Sequence, residues 1–320
     1  MLIYFLFFIG FILLIKGADI LVEGSSSIAK KFNISDLVVG LTIVSFGTSM
    51  PELTVNLIAS VQGSSGIAIG NIFGSNIANI LLIIGVAASI RALPIQRNTA
   101  LSEIPFSLAA TMLVGFLANA ALLGDPTDQA LLSRYDGILL LFFFALFMLY
   151  VFRISRESNL EDNLTSGNSM PTNKAILLIV LGAIGLFLGG KWVVDGATHI
   201  AALMGLSESL IALTIVAIGT SLPELVTSAI AAYRKNTDIA IGNAVGSNIF
   251  NLLWVLGISA VIKPLPFGTD SNTDLLVIIG SSSLLLLVLG IGRKNMVGKR
   301  SGILFLLLYA TYIIYLVMRG

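Results

Sequence analysis

Two carboxylates stand where a carboxylate is costly. Glu52 closes the stretch Gly47-Thr48-Ser49-Met50-Pro51-Glu52, and Glu224 closes Gly219-Thr220-Ser221-Leu222-Pro223-Glu224. Each lies within an apolar run long enough to cross a bilayer. A charge there costs roughly 2.5–3.5 kcal/mol on insertion scales and marks an ion or substrate pathway. Each also follows a proline, which has no N–H for the carbonyl of Gly47 or Gly219 and whose ring crowds that turn. Carbonyls freed at membrane depth are tolerated only where protein or a polar cavity receives them. Thr48 and Ser49, like Thr220 and Ser221, stand four and three residues before their Glu, a spacing that puts them on its helical face. Downstream, Ser75 with Asn79 and Ser247 with Asn251 are four apart, giving two further helices one polar stripe each. Carboxylate, hydroxyl and carbonyl oxygens together suit a hard cation. Two carboxylates match one dehydrated divalent ion, or more than one monovalent ion in its place. A single buried Glu is open to a purely structural reading. Two at matched positions, with hydroxyls at the same offsets, favour ligation.

The elements that position these residues follow from composition. Of 320 residues, 56% are hydrophobic and only 11% charged, with a mean hydropathy of +0.98. This is the composition of an all-α polytopic membrane protein. Apolar runs predict ten transmembrane helices, at about 2–24, 36–60, 66–91, 99–123, 133–153, 174–198, 208–232, 238–262, 273–291 and 301–318. The polar stretch 154–173 reads as a cytoplasmic linker between a first repeat, 1–153, and a second, 174–320. The halves align without a gap at an offset of 172, which also pairs Gly70-Asn71 with Gly242-Asn243 and Gly74-Ser75-Asn76-Ile77 with Gly246-Ser247-Asn248-Ile249. Gly70 with Gly74 and Gly242 with Gly246 are spaced for close helix packing. Five spans per half is an odd number, so the second half inserts upside down. Thirteen basic residues then fall on the cytoplasmic side and three outside, which puts both termini outside. Lys30-Lys31 aligns with Ala202-Leu203, whereas Arg234-Lys235 aligns with Gln62-Gly63; related loops have exchanged charge, as inversion requires.

Other residues narrow the function. Leu2 to Leu21 lacks a basic leader and cleavage site and reads as a retained first helix. The chain has no Cys, so it forms no disulfide or thiolate metal site. A net charge of +1 suggests no nucleic-acid partner. No Ser-His arrangement, paired Asp or His-Glu-x-x-His is present, so an enzyme is not expected, nor a prosthetic group. Lys16 is spaced to pair with Asp19 along one helix, and Glu103 falls near the inner end of the fourth span, at the interface.

On the two Gly-Thr-Ser-x-Pro-Glu stretches and the two Gly-Asn-x-x-Gly-Ser-Asn-Ile stretches, the chain resembles the cation/Ca²⁺ antiporter superfamily, in its Na⁺/Ca²⁺ exchanger branch of prokaryotic type. The resemblance implies ten helices as two inverted five-helix repeats, with ions held at mid-membrane. It implies Glu52 and Glu224 as ligands of Ca²⁺ and Na⁺, with the main-chain oxygens of Thr48 and Thr220. Flanking Na⁺ positions would use Ser49, Ser75, Ser221, Ser247 and the carbonyls of Ser45 and Ala217, with Asn79 and Asn251 at the centre. Some relatives carry Asp where this chain has Asn251. The first and sixth spans would slide across the core to alternate access. The reading is a secondary antiporter exchanging Na⁺ for Ca²⁺ in the plasma membrane, working as a monomer in the lipid bilayer. An H⁺-driven Ca²⁺ antiporter and a channel are its rivals.

Overall fold

The computed structural model describes residues 2–95, 97–124, 130–161, 170–204, 217–291 and 295–319. Helix α1 (Leu2–Phe32) is followed by α2 (Asp36–Thr48), α3 (Met50–Gln62), α4 (Ser65–Ile90), the short α5 (Arg97–Leu101), α6 (Glu103–Gly124) and α7 (Arg134–Glu161). The second half contributes α8 (Thr172–Leu203), α9 (Ala217–Thr220), α10 (Leu222–Tyr233), α11 (Thr237–Ile262), α12 (Thr269–Ile291) and α13 (Lys299–Arg319). Among the described residues, eight helices are long and apolar enough to span a membrane, and a ninth span results if α2 and α3 count as one. The seventh expected span, 208–232, begins outside the described residues; α9 and α10 are its described part. Several helices outrun their expected bounds: α1 reaches Phe32, and α7 continues to Glu161, into the stretch read as linker.

Proline sets the breaks. Ser49 leaves helical geometry (φ −82°, ψ 9°), and α2 meets α3 at a bend of 48°. Pro51 then sits in the first turn of α3, where a missing N–H costs nothing. Ser221 (φ −84°, ψ 3°) and Pro223 repeat the device at the start of α10. Wider π-helical turns interrupt α2 at Gly40–Val44, α4 at Ala78–Ile83 and α11 at Phe250–Val255. Such turns shift side-chain register and recur at functional sites.

Packing follows the glycines. On α1, Gly10 and Gly17 face Gly189 and Gly182 of α8: a Cβ on Gly17 would lie 2.9 Å from the Gly182 carbonyl, and one on Gly182 2.7 Å from that of Gly17. Gly242 of α11 lies against Gly40 of α2, and a Cβ on Gly246 would meet Leu41 backbone at 2.8 Å. A Cβ on Gly70 or Gly74 would meet nothing within 4 Å among the described residues.

Three findings depart from the sequence reading. Two short antiparallel ladders are present: β1 (Leu93–Pro94) pairs with β4 (Met296–Val297), and β2 (Leu131–Leu132) with β3 (Leu265–Pro266). Each joins a loop of one half to a loop of the other. Asp19 pairs not with Lys16 but with Arg234, which also approaches Glu23 at 3.6 Å; a partner from another helix outcompetes one on its own. Glu103, expected at the interface, is buried within the protein, where the Tyr150 hydroxyl of α7 donates to it at 2.8 Å.

Candidate cation site

Glu52, in the first turn of α3, and Glu224, in the first turn of α10, are both fully buried. One oxygen of Glu52 accepts from Ser75 of α4 at 3.3 Å and from Ser221 at 3.4 Å. One oxygen of Glu224 accepts from Ser247 of α11 at 3.5 Å and from Ser49 at 3.1 Å. Each carboxylate is therefore held by one serine of its own half and one of the other. Helical spacing expects Ser49 beside Glu52, yet the structure gives Ser49 to Glu224. The helix breaks at Ser49, so a count of three residues does not carry across the bend; the same holds for Ser221.

The threonines cross over in the same way. Thr48 Oγ1 donates to Asn243 Oδ1 at 3.0 Å, and Thr220 Oγ1 to Asn71 Oδ1 at 3.2 Å. Asn243 donates to the Glu224 carbonyl at 3.3 Å and to Ser228 at 2.9 Å. Asn71 donates to the Glu52 carbonyl at 3.5 Å and to Asn56 at 2.7 Å. Thr48 Oγ1 also lies 3.3 Å from the Ser45 carbonyl, so its single proton serves one acceptor at a time. Ser45 Oγ lies 2.7 Å from the Gly40 carbonyl and 3.1 Å from that of Asn243, and its single proton serves one at a time. The Ser45 carbonyl accepts from the Ser49 N–H at 2.9 Å and from Thr48 Oγ1 at 3.3 Å. Ala217 opens α9.

Four oxygens remain. Glu52 Oε2, Glu224 Oε2, Asn79 Oδ1 and Asn251 Oδ1 are buried without a hydrogen-bond partner among the described residues. Leaving a buried polar atom unmet costs about 1–3 kcal/mol, and more where it is charged. Asn79 and Asn251 each stand second in a π-helical turn, one turn beyond the serines that touch the glutamates. All four atoms are hard acceptors, and they come from two matched pairs of positions. An all-oxygen set suits Na⁺ or Ca²⁺ and not a soft metal. Sequence reasoning left Asn56, Asn71, Asn76, Ser228, Asn243 and Asn248 without a role. Their signal was the repeated Gly-Asn and Ser-Asn pairs, but spacing within one helix does not reveal an amide that reaches the opposite half.

A helical, membrane-spanning chain with an all-oxygen site built from two matched halves belongs to the class of membrane cation transporters. Its residues 2–153 and 174–318 match the family model for sodium/calcium exchanger protein. The chain belongs to that family, in the prokaryotic exchanger branch of the cation/Ca²⁺ antiporter superfamily. It is 37% identical to the inner membrane protein YrbG of Escherichia coli (strain K12), over 98% of this chain and 95% of the other. To the sodium/calcium exchanger MaX1 of Methanosarcina acetivorans it is 32% identical over 98% of each chain. A structure of the sodium-calcium exchanger NCX_Mj, soaked with 100 mM Na⁺ and 10 mM Sr²⁺, matches with a TM-score of 0.82, 34% identity and 98% of both chains covered. The protein is accordingly a membrane-embedded cation/Ca²⁺ antiporter.

Proposed function

We propose that the protein exchanges Na⁺ for Ca²⁺ by alternating access at a mid-membrane site centred on Glu52 and Glu224. The observation that carries this reading is the set of four buried oxygens without a partner among the described residues, Glu52 Oε2, Glu224 Oε2, Asn79 Oδ1 and Asn251 Oδ1. The pair of carboxylates balances one Ca²⁺. Ser49, Ser75, Ser221 and Ser247 orient them, and Thr48, Thr220, Ser45 and Ala217 contribute main-chain oxygen as ions move through. Na⁺ is favoured over H⁺ as the driving ion because a proton needs only a titrating carboxylate, whereas Na⁺ uses the whole oxygen ring. The names of MaX1 and NCX_Mj, both sodium/calcium exchangers, support the same choice. One chain supplies every group of the site, so a monomer suffices.

The ten-helix inverted repeat is part of the proposal, with halves 1–153 and 174–320 and the seventh span at about 208–232. Matching supports it: the breaks at Ser49 and Ser221, the π-helical turns 78–83 and 250–255, and β1 and β3 all recur at an offset of 172. Each strand ladder, moreover, joins loops assigned to the same side. The protein then lies in the plasma membrane with both termini outside. Labelling tests this: Lys31→Cys and Lys235→Cys, in a chain with no other Cys, should both react from the cytoplasmic side, and labelling from opposite sides would rule out the inversion.

Transport is tested in proteoliposomes with pH clamped by an ionophore. An outward Na⁺ gradient should drive Ca²⁺ in, without K⁺ and with saturation. Flux that ignores Na⁺ and follows an imposed pH gradient would make this a proton exchanger, and non-saturating flux a channel.

A further inference from the structure

Asn76 and Asn248 are both buried and lie outside the expected ligand set. Asn76 Nδ2 donates to the backbone carbonyl of Asn248 at 3.3 Å. A carbonyl only accepts, so that end of the Asn76 amide is its NH₂ and the other end is oxygen. That oxygen, Asn76 Oδ1, accepts from Asn251 Nδ2 at 3.1 Å. The end of the Asn251 amide facing Asn76 must then be its NH₂, and Asn251 Oδ1 is turned to the opposite side, where it is buried and has no partner among the described residues. In the other half Asn79 Nδ2 donates to Asn248 Oδ1 at 2.9 Å, and Asn79 Oδ1 has no partner among the described residues. An asparagine amide has nearly the same shape either way round, so packing alone does not choose which end faces an ion. Hydrogen bonding does.

The geometry points to Asn76 and Asn248 as positioning residues that turn the oxygen, and not the NH₂, of Asn251 and Asn79 toward the transported cation. The inference rests on the reading of this centre as the cation site. Each acts across the interface between halves, so the orientation of one half's central amide is set by the other half. An NH₂ turned inward would place a donor where a cation needs an acceptor, and affinity would fall although no ligand had been removed.

A mutant cycle read by ⁴⁵Ca²⁺ binding to the purified full chain tests this. Asn76→Ala should weaken Ca²⁺ binding about 10-fold, the scale typical of groups that orient metal ligands. Asn251→Asp presents oxygen at both ends of the side chain and needs no orienting. In that background Asn76→Ala should therefore change affinity by less than about 2-fold, the usual scatter of independent substitutions. Asn248→Ala, alone and with Asn79→Asp, should behave the same way. Equal loss in both backgrounds, or no loss from either Ala substitution, overturns the inference. So does failure of both Ala variants to fold, if the Asp substitutions do not restore folding. Glu52→Gln, run alongside, separates the two levels: unchanged Ca²⁺ affinity there removes the cation site itself, whatever the asparagines do.

Discussion

At the centre of the molecule, 72% of the spanning window of α4 and 78% of that of α11 is buried, and these helices meet their neighbours through carboxylates, amides and hydroxyls. For α1 and α8 the share is 33% each, and they meet one another through glycine backbones. Directional bonds fix angle and distance together, so the centre has one favourable arrangement. Backbone-to-backbone contact through glycine is close but carries no such pattern, and it binds α1 to α8 more than either to the core. The described polar ties of α1 to the core lie near one end, where Arg234 pairs with Asp19 and approaches Glu23, and Asn236 donates to Ser26. The contrast teaches a division of labour. The centre is tied by directional side-chain bonds, while the pair beside it is joined by close backbone contact.

That division can be broken from either side. The largest effect is expected from Gly17→Leu, whose side chain would meet the backbone of α8 with no room to yield. Overpacking of this kind costs typically about 1–3 kcal/mol. Thermal unfolding in detergent should show a clear drop in midpoint, whereas an unchanged midpoint would mean that α1 and α8 are not locked together. A smaller effect is expected at the centre from Thr48→Val and Thr220→Val, which keep shape but remove the hydroxyl from Asn243 or Asn71. Each should cost about 1 kcal/mol and weaken Ca²⁺ binding, the two to a similar degree. If only one of them matters, the halves are not equivalent in use. The smallest stability change is expected from Arg234→Gln. Its ion pair is about one third exposed, so less than about 1 kcal/mol is at stake. Ca²⁺ affinity should hold while the exchange rate changes; a loss of affinity instead would place Arg234 in the site.

Much of this was legible beforehand. The two glutamates, their prolines, the repeat offset and the helical class follow from residue types and spacing alone, because a costly charge in an apolar run and a proline beside it recur at matched positions. The partners of the glutamates did not follow. Ser49 counts as a neighbour of Glu52 only on an unbroken helix, and the same Pro51 that flags the site ends that continuity. The amides were hidden for a different reason. Asn76 and Asn248 look like any buried polar residue until the opposite half is in place, and Asn79 and Asn251 sit in π-helical turns that no periodicity announces. Asp19 shows the same limit, since its nearest candidate in sequence, Lys16, lost to a residue of a distant helix.

The central claim is that one cation site is built equally by two halves, and Ca²⁺ binding at equilibrium tests it most directly. Glu52→Gln and Glu224→Gln each remove one of two charges from a buried site while preserving size. At the dielectric of a protein interior, loss of one close charge should weaken binding of a divalent ion at least about 100-fold. Both variants should fold, both should lose ⁴⁵Ca²⁺ binding to a comparable extent, and Na⁺ should displace Ca²⁺ from the unaltered protein. Ca²⁺ binding that survives intact in either variant would contradict the account.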